Sequence, residues 1–191
     1  MPYASPMDLP AQDPDTGLVR VVIDTPKGSR NKYKFDPELG VFKLSRILPA
    51  GLSFPFDFGA IPSTRAEDGD ALDVLVLNDT PLFVGCLVQV HLIGVIRARQ
   101  KEGRKMIRND RLVGTIETTV NKPAITRLAQ VEEQQLRDIE HFFASYNQAQ
   151  GREFKISGRG GPRDAERMFR DSMREFEKQA KNGVGGSRRR E

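Results

Sequence analysis

Tryptophan is absent from this chain, cysteine occurs once and histidine only twice in 191 residues. A single thiol, Cys86, excludes an intramolecular disulfide framework and fits a reducing cytosol. The two histidines, His91 and His141, fall in a strand pattern and a helix pattern, so a histidine-rich zinc centre is excluded. Aromatic residues reach only 7%, which leaves little surface on which nucleobases could stack. No apolar run approaches the ~20 residues of a membrane-spanning helix. The first ten residues have neither a basic nor an apolar stretch, which argues against secretion and for the cytoplasm. Charge of one sign is also scarce over most of the chain. Residues 1–151 hold 18 basic and 19 acidic side chains, whereas residues 152–191 hold 12 and 7, so the net +4 belongs to the C-terminal end.

What is present is a succession of short β signals. Leu18–Ile23, Tyr33–Phe35, Val41–Leu44, Ala71–Leu77, Leu87–Ile96 and Leu112–Ile116 are apolar, β-branched or alternating, and turn residues separate them. Many short strands before any strong helix predict an antiparallel barrel or sandwich rather than a βαβ sheet. A helix is expected over roughly 128–149, where Leu136, Ile139, Phe143 and Tyr146 form one stripe. A second is expected from Pro162, with Ala165, Phe169, Met173, Phe176 and Ala180 on one face. These signals divide the chain into a loose N-terminal arm (1–16), one domain (17–182) and a disordered basic tail (183–191).

The chemistry concentrates in Asp68-Gly69-Asp70-Ala71-Leu72-Asp73. Three carboxylates within six positions repel one another unless a cation balances them. Oxygen donors at this density favour Mg²⁺, Mn²⁺ or Ca²⁺. An isolated motif of this length is more often a solvated acidic turn. Its context is basic, however: Lys27, Arg30, Lys32 and Arg46 lie upstream, a combination that suits a phosphate ligand shared between metals and side chains. Phe54-Pro-Phe-Asp-Phe-Gly59 offers apolar walls, or simply a core-filling loop.

Taken with Lys27–Tyr33 and Phe142-Phe-Ala-Ser-Tyr146, these blocks resemble the soluble family I inorganic pyrophosphatases across roughly residues 18–156. The resemblance implies an α+β, mainly β fold: a five-stranded OB-like barrel with flanking C-terminal helices. It implies Mg²⁺-dependent hydrolysis of inorganic pyrophosphate, with Mn²⁺ as a possible substitute, and a homo-oligomer, often a hexamer. Asp68, Asp70, Asp73 and Asp110 would bind metal. Asp70 would also accept a proton from the attacking water. Lys32, Arg46, Tyr146 and Arg111 would hold the phosphates, with Tyr146 donating to the departing one.

Several positions depart from the family pattern. Asp24 replaces a Glu, Lys34 a Glu near a metal, Phe58 a Tyr, Asn147 a Lys, and Gln100 a metal-binding Asp. Two other readings follow from the residues. One is a pyrophosphatase-like protein with impaired catalysis. The other is an OB-like single-stranded nucleic-acid module using the basic hairpin at 97–111, against which the acidic cluster and the scarcity of aromatics argue.

Overall fold

The structure, a computed structural model, describes residues 5–118 and 123–186. Among the described residues nine strands form: β1 (Val19–Thr25), β2 (Asn31–Asp36), β3 (Val41–Ile47), β4 (Asp57–Ala60), β5 (Asp73–Leu77), β6 (Leu87–Glu102), β7 (Lys105–Arg108), β8 (Arg111–Ile116) and β9 (Phe154–Gly160). Two α-helices follow the first eight strands, α1 (Glu133–Gln148) and α2 (Pro162–Gly186). No helix of the described residues is long and apolar enough to cross a membrane.

Pairing runs β1-β4-β5-β8-β6, and β6 returns to β1, so five strands close into a ring, the OB-like barrel expected. The ring is antiparallel except for β5 against β8. β2 and β3 form a separate two-stranded sheet. The long β6 serves four partners, and register shifts at Leu92/Gly94 and Arg97/Ala98 allow the bend this requires. Where β4 crosses β1, a Cβ on Gly59 would lie 2.4 Å from the Val22 carbonyl oxygen, so only glycine fits.

The near-continuous apolar runs of β5 and β8 have a direct cause. Val74, Val76 and Leu112 belong to one core, capped by Ala165 and Phe169 of α2. Leu75 and Val113 face a second core with Leu136, Ile139, Phe142 and Phe143 of α1. Successive side chains alternate between faces, and both faces are covered. Fully burying one such side chain contributes about 1.5–3 kcal/mol.

Three expectations change in detail. β4 and β9 were not predicted: the first overlaps the end of the apolar Phe54–Gly59 block, and the second is polar and glycine-containing. The helix expected over 128–149 opens as a 3-10 turn, Leu128–Gln130, and becomes α-helical only at Glu133. Residues 5–16, expected as a loose arm, are held to the body. Ala11 is buried and accepts from the Arg20 amide, and Ser63 Oγ donates to the Leu9 carbonyl. The tail expected to be disordered from 183 continues α2 through Gly186, and its remainder, 187–191, lies outside the described residues.

Candidate active site

The acidic loop is built before it is charged. Thr64 Oγ1 donates to the Ile61 carbonyl and accepts from the Leu72 amide, which pins the loop at both ends. Inside it, Ala66 donates to the Asp70 carbonyl and Gly69 to the Ala66 carbonyl. Gly69 takes φ +85°, the left-handed turn that a side chain would resist. Asp68 Oδ1 accepts from the Asp70 amide at 3.2 Å, and Asp73 follows as the first residue of β5. Burial, with repulsion from Asp73 and Asp70, holds the Asp68 carboxyl above its usual range despite Arg111 and the Asp70 amide.

The basic partners arrive by register. Parallel pairing sets Leu112 beside Val74, which places Arg111 next to Asp73, and its Nη1 meets Asp73 Oδ2 at 2.8 Å. The guanidinium is buried and lies 5.9 Å from the Phe58 ring centroid and 5.6 Å from that of Phe143. Its Nε has no hydrogen-bond partner among the described residues. Lys32 Nζ reaches both oxygens of Asp24, at 2.9 and 3.0 Å, above the Phe58 ring. Burial pushes the Asp24 carboxyl up, Lys32 opposes this, and Asp73 adds repulsion. Phe58 therefore offers a ring face to two cations in place of a hydroxyl. Lys34 Nζ holds Asp70 in the same two-oxygen fashion, but in the open.

Arg46 stands opposite Lys32 across the β2–β3 pair and makes no hydrogen bond or ion pair among the described residues. Tyr146 stacks on Phe142 and meets Phe54 edge-on, and its hydroxyl is likewise unbonded among the described residues. Phe54 also lies under Lys32, so Lys32 and Tyr146 flank one ring. A cleft of about 290 Å³ opens beside the loop, lined by Asp68, Asp73, Arg108, Arg111 and, from α2, Asp171 and Glu175.

Asp110 is placed differently from the other three aspartates. It is buried, one oxygen accepting from the Ala98 amide at 2.8 Å and the other from Arg108 Nε. Its neighbour Asn109 is not marked out by any sequence motif. Asn109 Nδ2 donates to Gln100 Oε1 at 2.9 Å and its Oδ1 accepts from Arg111, so the amides of Gln100 and Asn109 steady the guanidinium. Asn147 is buried and donates to the Phe143 carbonyl within α1, turned away from any phosphate role. A second missed residue is Asp57. Fully buried, it joins two loops by accepting from the Lys27 and Leu82 amides. Burial and Asp57 push the Cys86 thiol up, away from the thiolate.

Among the described residues no three carboxylates converge as ligands of one ion. Four are paired instead with a cation of the chain: Asp24 with Lys32, Asp70 with Lys34, Asp73 with Arg111 and Asp110 with Arg108. The donor chemistry of Asp68, Asp70 and Asp73 still fits a hard divalent ion, because all are carboxylate oxygens and the ionised form of the half-buried Asp68 is disfavoured by burial and by its like-charged neighbours.

A closed ring of short strands whose rim interleaves carboxylates with phosphate-type cations belongs to a class built to handle small, highly charged anions. The inorganic pyrophosphatase profile matches residues 21–177. The inorganic pyrophosphatase of Thermus thermophilus is 37% identical over 153 residues, covering 78% of this chain and 85% of the relative. That of Methanosarcina acetivorans is 36% identical over 156 residues, with 82% and 90% covered. The crystal structure of the Thermus thermophilus pyrophosphatase superposes with a TM-score of 0.82 at 34% identity, covering 91% of this chain and 99% of that one. A Neisseria gonorrhoeae pyrophosphatase gives 0.79 at 30% identity, covering 88% and 96%. The chain belongs to the inorganic pyrophosphatase family.

Proposed function

We propose that this chain hydrolyses inorganic diphosphate to two phosphates by in-line attack of water, with no covalent enzyme intermediate. The observation that carries this is the gathering of Asp24, Asp68, Asp70 and Asp73 with Lys32, Lys34 and Arg111 around Phe58 and the acidic loop. A divalent cation, Mg²⁺ with Mn²⁺ as a substitute, held by Asp68, Asp70 and Asp73, would neutralise phosphoryl oxygens and lower the pKa of a bound water.

The chain's own groups do the rest. Asp70 accepts the proton as the water oxygen attacks phosphorus, and its exposure leaves room for that water. Lys32, Arg46 and Arg111 hold the non-bridging oxygens, whose charge grows as the bridging P–O bond breaks. The Tyr146 hydroxyl donates to the phosphate that leaves with the bond's electron pair. Asp110 does not touch substrate in this scheme; it orders the Ala98 backbone and Arg108 next to Arg111.

The same reading includes a cytoplasmic homo-oligomer, a hexamer by likeness to the family. The exposed Leu39, Val41, Leu44, Ile47 and Phe83 support burial against further copies. The experiment is phosphate release from diphosphate with and without Mg²⁺. Turnover should require the metal and stop in excess chelator; turnover that persists in chelator contradicts the mechanism.

A further inference from the structure

β2 projects Lys32 and Lys34 from one face, two residues apart, and both ammoniums end on carboxylates of the body. The two contacts are unlike. The Lys32–Asp24 side chains are 16% and 12% exposed and lie on Phe58, whereas those of Lys34 and Asp70 are 60% and 63% exposed. The first is a fixed part of the site. The second is an open ion pair, which water and dissolved ions compete for readily. It nevertheless engages both Asp70 oxygens, at 2.9 and 3.0 Å, across 36 residues of sequence.

We propose that Lys34 is a cation built into the chain at Asp70, which a divalent ion must displace, and that its released ammonium then binds a phosphate oxygen of the substrate. This rests on the hydrolase reading above. Three features carry it. Asp70 belongs to the carboxylate loop, so an ammonium on both of its oxygens excludes a second cation there. Lys34 is on the same strand face as Lys32, so a short swing keeps it among the phosphate-binding cations. The exchange conserves pairing, since carboxylate passes from ammonium to metal while ammonium passes from carboxylate to phosphate. The inference therefore assigns a role to a residue whose charge is opposite to that expected beside a metal. It also couples the two ligands: metal at Asp70 frees a donor for phosphate, and phosphate on Lys34 frees Asp70 for metal.

The test is calorimetric titration of the full chain without diphosphate, using Mn²⁺ alone and then inorganic phosphate at saturating Mn²⁺. Lys34→Gln should bind Mn²⁺ about two- to fivefold more tightly at low salt, and phosphate more weakly by a similar factor. Lys34→Arg keeps the charge and should behave like the parent. The gain in Mn²⁺ affinity should shrink near 1 M salt, where the screening length falls to about 3 Å. Unchanged or weaker Mn²⁺ binding by Lys34→Gln, while the parent still hydrolyses diphosphate with Mn²⁺, overturns this role and leaves the hydrolase reading standing. A parent that neither binds Mn²⁺ nor hydrolyses diphosphate overturns both.

Discussion

Asp68 bears the main electrostatic cost of the acidic loop. Burial and its two like-charged neighbours disfavour its ionised form, so its folded-state pKa lies above the ordinary 3.8. For an acid shifted upward, the destabilisation is complete above the folded pKa and absent below the unfolded one. Asp68→Asn keeps an oxygen for the Asp70 amide and removes the charge. In chelator at pH 7 this variant should therefore melt at a higher temperature than the parent, and the difference should close as pH falls toward 3.8. Equal melting temperatures at both pH values would show that the loop carries no such strain. The carboxylates of this site were legible in the sequence because their crowding has few cheap explanations. Asn109 was not, since an amide between a basic residue and an aspartate reads as a turn, and only the fold reveals its bonds to Gln100 and Arg111. The resemblance singled out Arg111, but its pairing with Asp73 depends on the parallel register of β5 and β8.

Elements were readable where burial imposes a period. β1, β5, β6 and β8 supply the continuous apolar runs, and α1 and α2 the apolar stripes. β4 and β9 were not readable. β4 has four residues and carries Asp57 and Gly59 for reasons that depend on neighbours, the two amides and the Val22 carbonyl. β9 is a polar strand stabilised by pairing with β6 and by Arg159, which reaches back to Glu133 and Glu140 of α1. α1 has a direct bearing on the site, because Phe143 packs under Phe58 and lies beside the Arg111 guanidinium. Phe143→Ala removes a fully buried ring and should destabilise the fold by about 3–5 kcal/mol. Denaturant unfolding measures this; a loss below about 1 kcal/mol would mean that α1 does not fix the second core.

At the scale of the molecule, the packed part of α2 ends early. Among the residues whose burial is described, Ser172 is its last buried one, and residues 177–181 are exposed. A chain ending at Asn182 should keep its melting temperature and its diphosphate turnover within experimental error. A large fall in either would mean that the basic end completes a contact with the body or another copy. Patterning alone left a barrel or a sandwich open, and the closed ring followed from the family resemblance that the triple-aspartate block carries. The partner exchange among charges did not, since each ion pair joins residues from different elements.

Attack of water on diphosphate at the acidic loop depends most directly on Asp70. Asp70 lies in the open, so Asp70→Asn should fold normally while losing a charge and a proton acceptor. The decisive measurement is the rate of phosphate release from diphosphate at saturating Mg²⁺, parent against Asp70→Asn, with far-ultraviolet circular dichroism and melting temperature alongside. The account predicts an active parent and a variant of unchanged fold that is slower by about 10²–10⁴. An Asp70→Asn chain that turns over at the parent's rate, or a parent with no activity, would contradict it.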